Sequence, residues 1–248
     1  MAEQSTGADG GRRRDRGAQL LAERREGRFV TASTRVLGAA ITLIALTWAI
    51  ELWLALGFQW FDEQALVACF GLTLAIVFIR FPFAGGRDRP SVPWYDAACA
   101  VVGVGASAYL IWIYGDIELN PFAMRGKMFW ISAVLLPLMW EALRRTAGWS
   151  LTAVLSVFIA YAFVGHLAPG MLKGYEQDGY RMIAELGVTN VALLGLPLKI
   201  IVLTVVLFIW MGQLLLHTGA SEWFTDLAAA VMGRSRGGSA KIAVVASG

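Results

Sequence analysis

Residues 197–216 read PLKIIVLTVVLFIWMGQLLL, with Lys199 as the only charged side chain. This run decides more about the fold than any other stretch. At 1.5 Å per residue, a helix of about 20 residues crosses the roughly 30 Å hydrocarbon core of a bilayer. In hydrocarbon every backbone polar group must be satisfied internally, which leaves helices or closed barrels. The run lacks the alternation of a barrel strand, so it reads as a helix. Gly219 follows where a left-handed glycine often closes a helix. Ser221 can cap a second, shorter helix. On it Trp223, Phe224, Leu227, Ala228 and Val231 share one face, opposite Glu222, Thr225 and Asp226. That pattern suits a helix lying in the membrane interface. Arg234, Arg236 and the pair Gly237–Gly238 then turn the chain, and a second apolar run from Ile242 stops at Gly248, too short to span. The reading is a chain cut inside an element, a fragment of a longer membrane protein.

Five further apolar blocks precede this one, at residues 36–57, 65–83, 94–114, 128–143 and 150–165. Together they account for a chain 57% hydrophobic and only 16% charged, where soluble domains run nearer 45–50% and 25%. The fold class expected is all-α, a polytopic transmembrane helical bundle of about six spans plus the interfacial amphipathic helix. Residues 1–35 are polar and arginine-rich and form an expected disordered cytoplasmic tail. The first apolar block starts too late and runs too long for a signal peptide. Asp15, Glu23 and Glu26 interrupt the arginines, so nucleic acid is not an expected partner; membrane lipid is. Gly103, Gly105, Ala106, Ser107 and Ala108 allow close helix approach in lipid. The fourth and fifth blocks are short and joined tightly across residues 144–149, which predicts an antiparallel hairpin. Trp60, Trp94, Tyr114, Trp130, Trp149 and Tyr161 sit near span ends, as interfacial anchors do.

Basic residues fall in alternate loops. The tail carries eight arginines from Arg12 to Arg35, the second loop Arg80, Arg87 and Arg89, the fourth Arg144 and Arg145, and the last segment Arg234, Arg236 and Lys241. The first loop has Asp62 and Glu63 with no basic residue, and the third and fifth are balanced. This alternation places both ends in the cytoplasm.

Three ionisable side chains, Glu51, Glu141 and Lys199, fall within or at the edge of spans and are candidates for function by default. Glu141 lies three and four residues before Arg144 and Arg145, so a structural ion pair explains it, at a few tenths of a kcal/mol for a surface pair. Lys199 can snorkel to the outer interface. Glu51 can snorkel or pair with a neighbouring helix. Cys69 and Cys99 sit in apolar blocks without metal-ligand spacing, and His166 and His217 stand at span ends. No nucleophile with a base, metal triad or phosphate loop is present. Catalysis and a bound cofactor are therefore not expected.

The segment EALRRTAGWSLTAVLSVFIAYAFVGHLAPG at residues 141–170, and the run from Gly195 through His217-Thr218-Gly219, Gly233-Arg234 and Gly237-Gly238, resemble the fused permease of the TRAP (tripartite ATP-independent periplasmic) transporters. The resemblance implies a four-helix small-permease domain over residues 36–149 and the start of a large-permease domain over 150–248, joined near Gly148–Trp149. It implies ion-coupled uptake of small organic solutes such as carboxylates, sodium as the coupling ion and a periplasmic solute-binding protein as partner. It also implies a re-entrant hairpin after Ser239 whose tip begins at Ser247 and Gly248, with most of the substrate and ion site beyond them. The competing expectation is a non-transporting scaffold or assembly subunit, which the first four helices alone would serve.

Overall fold

The computed structural model describes residues 30–55, 57, 60–81, 83, 93–167, 173–174, 178–190, 192–220, 223, 226–227 and 230. Helix α1, Val30–Ala49, begins before the apolar block does. Ser33 and Thr34 donate back to the Val30 carbonyl at 3.1 and 2.9 Å, so the polar residues expected in the tail extend the helix instead. A short helix α2, Leu52–Ala55, follows. Helix α3 is Asp62–Arg80, with Asp62 and Glu63 in its first turn and Arg80 in its last, charges that suit both ends of the helix dipole. Helix α4 is Trp94–Leu119, longer than expected, so Asp116 and Glu118 stand on the helix rather than in a loop.

α3 and α4 run antiparallel, because contacts climb one helix as they descend the other. Gln64 donates to the Ile111 carbonyl at 2.9 Å. A Cβ at Gly71 would stand 2.6 Å from Ser107 Cβ, and one at Gly103 3.4 Å from Leu74. The glycine and serine positions therefore let the backbones close in, as small residues do where hydrocarbon gives no drive to associate. The buried face of α4, at Asp96, Ala100, Gly103, Ser107, Leu110, Tyr114 and Ile117, has the spacing of one helix stripe. Tyr114 is 3% exposed and belongs to this core, not to the interfacial belt expected for it. Trp60, Trp94, Trp130, Trp149 and Tyr161 are exposed.

Helix α5 spans Arg125–Val164, but Gly148 inside it has φ 81° and ψ −178°. The two arms, residues 125–147 and 149–164, fold back on each other there. Trp140 Nε1 donates to Ser156 Oγ at 3.0 Å. In a straight helix those residues would stand roughly 24 Å apart. The indoles of Trp140 and Trp149 meet edge to face at 6.0 Å. Thr152, fully buried, donates to the Gly148 carbonyl at 2.9 Å and ties the second arm to the turn. Five described helices are long and apolar enough to cross a membrane, and with α5 folded in two they supply the six passes expected.

Helix α6, Gly179–Val188, was not expected. Asp178 caps it by accepting from the Tyr180 amide at 3.3 Å. It lies along the first arm of α5: Tyr180 stacks on Phe129 at 4.4 Å, and Ser132 Oγ donates to the Ala184 carbonyl at 3.0 Å. Helix α7, Leu196–Ile200, runs through a π turn at Ile201–Val205 into α8, Val206–His217. Gly219, φ 76°, closes it in the left-handed conformation. Leu66, Phe78, Leu110 and Leu135 centre the core between α3, α4 and the first arm of α5. α1 and α7–α8 bury little of their apolar surface. Trp112, Trp130 and Phe158 stay 81%, 71% and 67% exposed, an apolar surface suited to lipid or to further protein rather than to water. Most of the amphipathic helix expected after Gly219, and the turn and apolar run after it, lie outside the described residues.

Candidate functional site

Charge concentrates at the two ends of the bundle. At one end the α3 C-terminus, the α4 N-terminus and the last turns of the first α5 arm meet. Glu141 accepts from Arg144 Nε and Nη2 at 2.8 and 2.7 Å and from Arg145 Nε at 2.7 Å. Arg145 Nη1 donates to Asp96 Oδ1 at 2.8 Å and to the Phe81 carbonyl at 3.0 Å. The Arg145 and Asp96 side chains are 3% and 1% exposed. The rings of Phe78 and Phe83 lie 4.8 and 5.6 Å from the Arg145 guanidinium. Arg144 lies 4.7 Å from the Phe83 ring centre and 5.4 Å from that of Trp149. Two cations and two carboxylates balance, so a charge group withdrawn from water carries no net charge. A planar guanidinium suits this place because its fork reaches several acceptors while its faces contact aromatic rings.

Asp96 was missed in the sequence. Its signal was there, an ionisable residue in the first turn of an apolar block. Its partner was not, since Arg145 lies 49 residues on and only the fold brings them together. The second Asp96 oxygen, Oδ2, is buried without a hydrogen-bond partner.

At the other end Lys199 Nζ pairs with Asp62 Oδ2 at 2.5 Å, and Trp48 Nε1 donates to Asp62 Oδ1 at 2.9 Å. Lys199 therefore has an acidic partner rather than snorkelling free. The pair is open to water, with side chains 46% and 39% exposed. Trp48 stacks on Trp53 at 5.0 Å and on Trp60 at 6.5 Å. Glu51 is no part of a span: α1 stops at Ala49, and Glu51 sits exposed in the turn before α2 with φ 52°. Lys199 lies just before the π turn, a helix irregularity frequent at functional sites.

Cys69 is buried and Cys99 half-buried, both as free thiols. Among the described residues no three His, Cys, Asp or Glu side chains are placed to hold a metal ion. Ser247 and Gly248 lie outside the described residues. What the described charges do is join helices, since α3 and α4 are tied to the later spans at both ends of the bundle.

The comparison with known families gives that arrangement a meaning. Residues 134–248 match the family described as the tripartite ATP-independent periplasmic transporter, DctM component. Over those residues the chain is similar to the permeases of TRAP transporters. That family is one of transporters rather than enzymes. The match opens inside the first arm of α5, ahead of the join expected near Gly148–Trp149. Glu141, Arg144, Arg145 and Lys199 fall within it, whereas Asp96, Asp62 and Trp48 precede it. Both charge groups thus bridge the TRAP permease segment and the helices before it. No curated protein and no solved structure matches the chain.

Proposed function

We propose that this chain is the membrane permease component of a binding-protein-dependent uptake system in the bacterial inner membrane, driven by an ion gradient. The observation that carries the reading is the TRAP permease match over residues 134–248, on a chain with five described helices long and apolar enough to cross a membrane. Sodium as coupling ion, a small carboxylate as solute and a periplasmic solute-binding protein as partner belong to this proposal and are supported by that match alone. The N-terminus is assigned to the cytoplasm from the basic loops. This orientation puts the Arg145 group at the cytoplasmic face and the Lys199–Asp62 pair at the periplasmic one.

The helices before residue 134 serve as a scaffold in this reading. α3 is half buried, the highest share of any described span, and α4 packs closely on it. A rigid pair tied to the permease segment at both faces gives moving parts a fixed reference. The test is uptake in cells lacking the locus. Complementation with the intact coding frame and its binding protein restores sodium-dependent accumulation of a labelled carboxylate. Accumulation indifferent to the sodium gradient contradicts the coupling ion, and accumulation unchanged by the deletion contradicts the transport role.

A further inference from the structure

Between α4 and the first arm of α5 the outer surface is hollowed into a groove of about 300 Å³, lined by Ala106, Tyr109, Lys127, Trp130, Ile131 and Val134. Ala106 contributes only a methyl group to a lining otherwise made of larger side chains. Its walls are aliphatic groups and the two aromatic rings. Trp130 is held by an edge contact with Phe129 at 5.7 Å, and Tyr109 by one with Trp112 at 6.4 Å. Trp130 and Tyr109 are 71% and 42% exposed, so the groove opens sideways, where a spanning helix meets lipid.

Two polar tips interrupt this lining. Lys127 lies in the first turn of α5, at the boundary between span and loop. Among the described residues its ammonium has no ion pair or hydrogen bond, and the Tyr109 hydroxyl has no hydrogen bond. By contrast, Arg125 in the same turn stacks over Phe122 at 4.7 Å. An apolar groove with one unpaired cation at its interfacial end complements an amphiphile with an apolar tail and an anionic head. From this charge complementarity we infer that the groove is a binding site for a membrane phospholipid, its acyl chain between Ala106 and Val134 and its phosphate beside Lys127. A headgroup with net negative charge is preferred over a zwitterionic one, because the zwitterion carries its own cation to the phosphate. Tyr109, deeper in the groove, meets the ester region with its hydroxyl. This inference rests on the membrane location of the chain and not on what it transports.

The test is native mass spectrometry of the full chain released from nanodiscs of equal phosphatidylglycerol and phosphatidylethanolamine. The wild type retains a bound phospholipid, with phosphatidylglycerol in excess. Lys127→Gln retains lipid but loses the excess, falling to parity. Ala106→Phe, which fills the groove, loses the adduct. Val134→Trp fills it from the other wall and is read alongside, with only variants that elute as folded protein compared. Equal retention by wild type and a folded groove-filled variant overturns the site. An unchanged headgroup preference in Lys127→Gln overturns the assignment of the phosphate to Lys127.

Discussion

Arg145 holds two carboxylates and a backbone carbonyl with a side chain only 3% exposed, so its loss differs in kind from the loss of a surface arginine. Removing one partner of a buried ion pair leaves the others uncompensated and costs about 3–5 kcal/mol. Arg145→Ala is expected to cost that much in reversible unfolding of the reconstituted chain, and Arg145→Lys to recover little, since one ammonium cannot span Glu141, Asp96 and the Phe81 carbonyl. Sequence reasoning reached the Glu141 pairing from spacing alone, at the few tenths of a kcal/mol of an exposed helix pair. Burial of Arg145 raises the expected cost of Glu141→Gln to about 1–3 kcal/mol. Exchanging Glu141 and Arg145 brings no rescue, because a carboxylate at position 145 would face Asp96. The Lys199–Asp62 pair makes the contrast: it is nearly half exposed, so Lys199→Ala costs under about 1 kcal/mol, a loss that shrinks further in high salt. Equal costs at the two ends would show that burial does not separate them. Asp96 and Asp62 were not legible as partners, because each contact joins residues far apart in sequence.

At the scale of elements, two glycines, Gly148 and Gly71, decide how helices meet. Gly148 lies at φ 81° and ψ −178°, a region open essentially to glycine alone. Gly148→Ala is expected to cost about 1–3 kcal/mol and to loosen the contact of the two arms, read as increased solvent exchange at Ser156. A Cβ at Gly71 would press on Ser107 at 2.6 Å, whereas one at Gly105 meets nothing within 4 Å. Thermal unfolding should therefore separate Gly71→Ala, destabilised by about 1–3 kcal/mol, from Gly105→Ala, near wild type. Equal effects would contradict the close packing of α3 on α4. The α5 turn was readable because two short apolar blocks met across a few polar residues. α6 was not, because Met182, Ala184, Gly187 and Val188 make a short, small-residue face that gains meaning only against Ser132 and Phe129. The extra turns of α1 and α4 were missed because back-bonding hydroxyls and a polar helix end carry no hydropathy signal.

For the whole molecule, the apolar spans were legible from hydropathy, and the arginines carry the expectation of their sides. The packing was not, because apolar spans look alike whether they stay open, as α8 does, or pack on other helices, as α3 does. What hydropathy left open was which helices form the body, and the burial of α3 and α4 answers that. The central claim is that α5 turns back at Gly148, bringing the TRAP permease segment across the membrane one extra time and setting both charge groups on their assigned faces. An unbroken α5 would reverse every later loop. The direct measurement is an alkaline phosphatase fusion after Gly174, between the second arm of α5 and α6, with a fusion after Gly85 as the cytoplasmic reference. The account predicts an active, exported enzyme at Gly174 and an inactive one at Gly85. An inactive, cytoplasmic enzyme at Gly174 would contradict it.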